Sequence, residues 1–274
     1  MNLRTLAEFR QAGIDPPLKL LLQADEWQPL LNLVNAWLSD PISAETGIDV
    51  AEIKWHEQAS GRRWPAALRE WLQLMGTHPL HEGEDVAECP MPLKRMGESD
   101  RLLTIYTEIQ EVWRCGILNE HCHLADPPIY FDSSVFDAMC ETGYAPASVV
   151  DGRFVKVADS LTEFVLAMTV RQIGIGTAPV RNRVHFAKFS RDADMQPLLA
   201  RGDWKRAIKF PTGYDPFTIG NDLILLDHWG IAARNAELFE PYGELLRSQG
   251  GLEYLGIAET IPEEIVWQER EAGE

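Results

Sequence analysis

The amino-acid sequence predicts an α+β protein, and three observations carry this prediction. Apolar residues recur at helical spacing over the first 76 residues of the chain. From residue 101 the pattern changes to short apolar runs between polar turns, which is typical of strands. The chain has 274 residues, 45% of them hydrophobic, so it can bury a substantial core. We expect a helical extension over residues 1–49 that packs on an α+β domain over residues 50–270.

Two helical segments are predicted before residue 41. Residues 3–12 fit a short helix that Gly13 ends. Residues 18–38 continue the helical pattern, with a helix that begins near Asp25 and closes at Asp40. Its apolar stripe consists of Trp27, Leu30, Leu31, Val34, Trp37 and Leu38. Because a stripe with two tryptophans would otherwise be exposed, we expect it to pack on the rest of the chain. The functional alternative is a helix that binds a partner.

We expect the rest of the chain to be organised around residues 55–76, WHEQASGRRWPAALREWLQLMG. A polar run ends at Gly61, and Pro65 suits the first position of the helix that follows. The apolar stripe of this helix consists of Leu68, Trp71, Leu72 and Met75. The pattern therefore predicts a surface helix, whose outward residues are Arg69, Glu70 and Gln73. Gly76 can take the left-handed conformation that ends a helix.

Seven later runs indicate strands, and two indicate helices. The strand-like runs are residues 102–107, 112–118, 126–131, 153–157, 184–189, 204–210 and 223–227. Ser160 and Glu163 have the spacing of a capping box at the start of a helix. Residues 242–249 fit a second, short helix.

The charge of the chain is strongly negative and uneven. There are 25 Lys and Arg against 42 Asp and Glu, a formal net charge of −17. Such a surface repels nucleic acid and anionic membranes and attracts basic partners, although charge also serves solubility alone. The stretch 181–210 is different, with eight bases against three acids. This basic stretch is compatible with an internal contact or with a second binding face; its bases are Arg181, Arg183, Lys188, Arg191, Arg201, Lys205, Arg206 and Lys209.

The sequence also predicts a compartment. It contains no run of 18 apolar residues, so we expect no membrane-spanning helix. The N-terminus carries acids and lacks an apolar core, unlike a secretory signal. Four irregularly spaced cysteines are too few for a disulfide framework. We therefore expect a cytoplasmic protein with mostly buried thiols.

The sequence contains four motifs that occur together, and in the same order, in one protein family. The first is Gly61-Arg62-Arg63-Trp64-Pro65, followed by an amphipathic helix that ends at Gly76. The second is residues 105–117, two strand-like runs around a turn with Gln110. The third is Asp126-Pro127-Pro128-Ile129-Tyr130, and the fourth is Ser160-Leu161-Thr162-Glu163-Phe164. Over residues 50–171 the sequence resembles the SMI1/KNR4 family, also called the SUKH superfamily.

The resemblance implies both a fold and a function. It implies helices packed on a twisted, mostly antiparallel sheet. It also implies a binding protein. Because the sequence carries no recognisable catalytic motif, we expect no catalysis, no cofactor and no metal. Bacterial members of the family typically neutralise toxins, often nucleases or deaminases, as immunity proteins, and fungal members are regulatory scaffolds in cell-wall signalling. The chain departs from the family at Ile109, where an Asn often precedes the turn Gln.

Three function hypotheses follow. The first is an immunity protein that neutralises a basic toxin domain by stoichiometric binding, as a monomer or homodimer. The second is a regulatory or scaffold adaptor of the same fold without a toxin partner. The third is an enzyme with a site near His121, Cys122 and His123. A structural zinc site usually takes ligands from separated pairs, so we interpret these histidines as part of a loop between strands.

The residues that we expect to bind a partner are all acidic. Two lie near predicted turns and five in or beside loops: Glu82, Glu84, Asp85, Glu108, Glu111, Asp126 and Asp132. An acidic protein suits a basic, nucleic-acid-cleaving toxin, because opposite charge accelerates association. Trp71 and Trp113 could serve a core or an interface. Their positions on a helix stripe and in a strand favour the core.

Overall fold

The computed structural model describes residues 4–38, 40–78, 80, 88–96, 101–108, 113–132, 154–175, 184–189, 194–211, 215–226, 230–248, 252–261 and 264–269. The chain forms two compact units. Unit 1 comprises Met1–Leu31 and Ile42–Val165, and unit 2 comprises Asn32–Pro41 and Leu166–Glu274. The boundary expected after residue 49 lies inside unit 1.

Within the described residues the chain forms eight α-helices and twelve strands. The helices are α1 Leu6–Ala12, α2 Leu18–Leu21, α3 Gln28–Trp37, α4 Val50–Ser60, α5 Ala66–Met75, α6 Leu161–Ile175, α7 Gln196–Ala200 and α8 Ala236–Ser248. The strands are β1 Glu88–Pro90, β2 Leu102–Glu108, β3 Arg114–Leu118, β4 Ile129–Asp132, β5 Phe154–Ala158, β6 Val184–Phe189, β7 Lys205–Arg206, β8 Pro216–Ile219, β9 Leu223–Leu226, β10 Gly230–Ala233, β11 Leu252–Ile261 and β12 Glu264–Glu269. None of these helices is long and apolar enough to cross a membrane.

Unit 1 contains an antiparallel sheet whose five strands follow the chain order from β1 to β5. Its core includes four aromatic rings. Tyr106 packs edge-on against Phe164 with 5.8 Å between ring centroids, and Trp113 lies 6.0 Å from Phe131. Trp113 and Trp71 are both buried, as the pattern predicts. The beginning of α6 is capped by Ser160, whose Oγ accepts from Glu163 N at 3.1 Å.

Unit 2 contains a second antiparallel sheet, whose strands follow the order β12-β11-β6-β10-β9-β8-β7. Leu198 of α7 and Leu246 of α8 are fully buried against the apolar residues of β9 and β10. Trp37, at the end of α3, is buried as well, and its Nε1 donates to Asn221 O at 2.6 Å. The α+β class is therefore confirmed, with two antiparallel sheets among the described residues.

Two elements of unit 2 differ from the sequence prediction. The strand expected over residues 204–210 is confined to β7, two residues long. Trp204 instead turns its ring towards α7, where Nε1 donates to Leu198 O at 2.9 Å. The helix expected over residues 242–249 begins earlier, at Ala236, with Pro241 inside it. Asn235 caps this earlier start, because its Oδ1 accepts from Leu238 N at 2.9 Å.

Helix α4 was missed by the sequence analysis, which treats residues 55–61 as a polar run. Its ends carry ordinary signals. Asp49 Oδ1 accepts from Ala51 N at 2.7 Å, and Gly61 takes the left-handed conformation with φ of 65°. The signals were hidden because α4 has almost no apolar stripe, and Ile53 is its one buried residue. Gly76 was expected to take the left-handed conformation, but its φ of −65° is right-handed.

The surface position predicted for α5 is wrong. All residues from Ala67 to Met75 are buried, including Arg69, Glu70 and Gln73. Glu70 is 1% exposed, and Arg10 binds both of its carboxylate oxygens, at 2.8 and 2.6 Å. Trp27 Nε1 donates to the same carboxylate at 3.0 Å. Burial of a charge is tolerated here because these partners replace water.

Arg69 lies in a second network on the same helix. Its Nε donates to Asp15 Oδ1 at 2.6 Å, and its Nη1 donates to Trp64 O. Lys54 Nζ lies 2.9 Å from Asp15 Oδ2. The networks thus join residues 10–27 to both α4 and α5, and the expectation that Trp27 packs on the rest of the chain is confirmed.

We predict that Glu70→Ala lowers the free energy of unfolding by about 3 kcal/mol, because it leaves a partly buried guanidinium without its carboxylate. The matched control is Glu52→Ala, an exposed acid of α4, which should change it by less than about 0.5 kcal/mol. Urea unfolding followed by tryptophan fluorescence measures both. Similar losses for the two variants would contradict a special role for Glu70.

Candidate functional site

The structure describes three of the seven acids that we expect to bind a partner. The other four, Glu82, Glu84, Asp85 and Glu111, lie outside the described residues. Glu108 ends β2 and Asp132 ends β4, and both are partly buried. Arg114 of β3 lies opposite Thr107 of β2 and opposite Asp132 of β4, so these three residues share one face of the sheet. Because successive side chains of a strand alternate between the two faces, Glu108 lies on the face opposite to Asp132. Two strand spacings separate β2 from β4, about 10 Å.

Asp126 precedes β4 at the end opposite to Asp132, and its Oδ1 accepts from Thr162 N at 3.1 Å. That bond satisfies one of the amide groups that the first turn of α6 cannot pair internally. Asp126 therefore stabilises the start of a helix.

The most exposed aromatic side chain described in unit 1 is Trp55 on α4, which sequence reasoning missed as a candidate. It is 63% exposed, and its ring meets His56 edge-on with 4.6 Å between centroids. Trp55 lies two positions beyond the buried Ile53, so it points away from the face that packs inward. The exposed Glu52 precedes it by three positions, which places a carboxylate on the same side of the helix.

The charged groups around Arg69 are paired internally. Burial alone would raise the pKa of Asp15, but hydrogen bonds from Arg69 and Lys54 lower it below its ordinary value. Likewise, burial alone would lower the pKa of Arg10, but its bonds to Glu70 raise it. Both oxygens of Glu70 are occupied, as are both oxygens of Asp15. These groups are arranged to hold α5, and none is open to a substrate.

The segment from His121 to His123 forms a short turn between β3 and β4. Asn119–His121 is a 3-10 helix, and His121 stacks on Tyr130 with 5.5 Å between ring centroids. Burial raises the pKa of the Cys122 thiol, whose Sγ lies 3.7 Å from Leu118 O. A thiol with a raised pKa is a poor nucleophile at neutral pH. Among the described residues no group of three or more His, Cys, Asp or Glu side chains could hold a metal ion.

The basic stretch is described in part. Arg201, Lys205, Arg206 and Lys209 are exposed in unit 2, whereas Arg181, Arg183 and Arg191 lie outside the described residues. Arg206 lies 3.5 Å from the carboxylate of Asp215, and its guanidinium sits over Phe217 at 5.1 Å from the ring centroid. One base of this stretch therefore makes an internal contact. The exposed Lys205 and Arg206 occupy the edge strand β7, where charged residues discourage pairing with another sheet.

The chain matches no protein-family model, no curated protein and no solved structure. The resemblance to the SMI1/KNR4 family therefore stays a prediction from its four motifs. In the structure, the described parts of these motifs lie on α5, on β2 and β3, on β4 with the loop before it, and at the start of α6.

We predict that Asp15→Asn destabilises the protein at neutral pH and that this difference shrinks in acid. A carboxyl group with a lowered folded pKa stabilises the fold above its unfolded pKa, about 3.9 for Asp. That stabilisation is lost as the pH falls through the lower folded value. Urea unfolding of the variant and the parent at about pH 7, 5 and 3 measures the gap.

The control for this experiment is Asp25→Asn, which changes an exposed aspartate of unit 1. Its stability should follow that of the parent at each pH. A gap for Asp15→Asn that stays constant into acid would show that the carboxylate charge of Asp15 is not what stabilises the fold.

Proposed function

We propose that this chain is a non-catalytic protein-binding module of the SMI1/KNR4 type, which neutralises a basic toxin domain by stoichiometric binding. The observation that carries the proposal is the exposed Trp55 on a helix that buries one residue. Tryptophan is enriched among the residues that dominate binding energy at protein interfaces. Trp55 buries only a small part of its ring within unit 1, so burial of this side chain contributes little to the stability of the unit.

Charge supports the same proposal. The net charge of −17 favours encounter with a basic partner, and long-range attraction accelerates association more than it strengthens the final complex. Glu52 lies beside Trp55 on the exposed side of α4. An indole ring near carboxylates suits a partner lysine or arginine, because the ring face attracts a cation.

The experiment that tests the proposal is capture of the tagged full-length chain with its partner from native lysate. The proposal expects one basic protein at equal stoichiometry, released as the salt concentration rises. Production of that protein alone should then arrest cell growth, and co-production of this chain should restore growth. A captured partner without toxicity would overturn the immunity function and leave the adaptor, whereas a large assembly of partners would favour the adaptor directly.

We predict that Trp55→Ala weakens binding of the captured partner by at least 2 kcal/mol, roughly thirtyfold in Kd. The exposed position of Trp55 implies an unchanged thermal midpoint. Leu124→Ala is the matched control, since Leu124 is another exposed apolar residue of unit 1, and its effect should stay below about 1 kcal/mol. Calorimetric titration measures both. Equal affinities for the two variants would exclude α4 from the interface.

A further inference from the structure

A cavity of about 290 Å³ opens on the surface of unit 1, between the start of α4 and the second half of α5. Three segments line it: Pro16–Leu18, residues 44–50 in part, and Gln73 of α5. Gln73 is buried, whereas Ala44 and Asp49 are exposed. Gln73 therefore lies at the base of the cavity, and the two exposed residues lie at its mouth.

One wall of the cavity contains Gly47 and Ile48, which are held against α5. Ile48 N donates to Leu72 O at 2.9 Å. A Cβ atom on Gly47 would overlap Gln73 O, so the close approach of this wall to the helix requires glycine. The protein's own contacts thus hold the wall in place, and a ligand does not have to order it.

The base of the cavity offers a hydrogen-bond acceptor. Gln73 is 6% exposed, and its Nε2 is shielded from solvent. The other atom of the amide, Oε1, is not shielded, and it accepts no hydrogen bond from a described residue. Since Gln73 is buried and lines the cavity, this oxygen opens into the cavity. A carbonyl oxygen has two lone pairs and accepts from a donor on a ligand.

The mouth of the cavity carries negative charge. Asp49 Oδ1 accepts from Ala51 N at 2.7 Å and so caps α4, while Oδ2 bonds to no described residue. Glu52, in the first turn of the same helix, is exposed and adds a second carboxylate. The start of a helix carries only about half a positive charge, less than either carboxylate offsets. No Lys, Arg or His is among the described residues that line the cavity, so the cavity favours a cation.

The mouth of the cavity is continuous with the exposed side of α4. Asp49, Glu52 and Trp55 follow one another at intervals of three residues, and all three are exposed. Residues three apart are neighbours on a helix surface, so these side chains form one row. The row extends about 9 Å along the helix axis. A protein that contacts the indole ring of Trp55 can therefore reach the cavity with a long side chain.

We propose that this cavity binds an arginine side chain of the protein partner that contacts Trp55. The planar guanidinium has several N–H donors, so one group can bond both Gln73 Oε1 and Asp49 Oδ2, whereas a lysine ammonium is a compact and more strongly hydrated charge. The cavity equals about ten water molecules in the liquid, which is room for the whole side chain. The inference rests on the proposed function for the source of the arginine.

The test uses three blocked tripeptides and protein-observed NMR titration of the full chain. Acetyl-Gly-Arg-Gly-amide supplies the guanidinium, the citrulline peptide has nearly the same shape without the charge, and the lysine peptide supplies an ammonium. We expect saturable shifts of the Gln73 side-chain NH₂ and the Gly47 amide with the arginine peptide. The lysine peptide should bind more weakly, and the citrulline peptide should cause no saturable shift.

Two variants separate binding from folding. Asp49→Asn removes the charge and keeps the helix cap, because Asn and Asp cap helices about equally well. Its thermal midpoint should equal that of the parent, while the Kd for the arginine peptide rises at least about tenfold. Asp25→Asn is the matched control, since Asp25 is an exposed aspartate of unit 1 outside the cavity, and it should leave that Kd unchanged.

Three results would each overturn the inference: an unchanged Kd in Asp49→Asn, equal binding of the citrulline peptide, or no saturable shift in the parent chain. None of these titrations needs the captured partner, so their failure would leave the proposed function standing. Conversely, a captured partner without toxicity would overturn the immunity function and would not change the titrations.

Discussion

Unit 1 depends on two adjacent charges, Arg69 and Glu70, that lie in its interior on α5. A buried ion pair contributes little net stability, but a buried charge that loses its partner is strongly unfavourable. Each charge therefore requires its own partner, Asp15 for Arg69 and Arg10 for Glu70. Both partners precede α5 by more than fifty residues in the chain. The helix can be buried on every side only when the N-terminal segment is folded against it.

This constraint explains why residues 4–31 belong to unit 1. Arg10 holds the end of α1, Asp15 holds the turn after it, and Trp27 precedes α3, and all three bind charged groups of α5. Charge-assisted bonds with two contacts fix direction as well as distance. An apolar contact could slide along the helix, whereas the fork of Arg10 on Glu70 sets one position. The N-terminal segment is therefore fixed by polar contacts in addition to its apolar stripe.

Local pattern predicts most of the elements but not the surroundings of α5. Alternation and turn residues predicted the bounds of the strands from β2 to β5 within a few residues. This works because side chains along a strand alternate between two faces, a pattern that is visible in the local sequence. The outward position of Arg69, Glu70 and Gln73 was wrong, since helical periodicity assumes that polar residues face water. No local sequence pattern predicts that Arg10 and Asp15 pair with Glu70 and Arg69. The sequence analysis missed helix α4 for a different reason: a helix that buries only Ile53 has no apolar stripe to detect.

The internal ion pairs of unit 1 also affect which charged groups carry the net negative charge of the chain. Arg10 with Glu70 and Arg69 with Asp15 are neutral as pairs, so they remove cations and anions from the surface in equal number. The whole net charge of −17 is then carried by the remaining groups, with fewer cations among them to offset it. These remaining groups therefore hold a smaller share of cations than the composition suggests, although Arg201, Lys205, Arg206 and Lys209 are exposed in unit 2. In the proposed function, the long-range attraction of a basic partner needs a directional contact beside it, and we propose that Trp55 beside Glu52 supplies that contact.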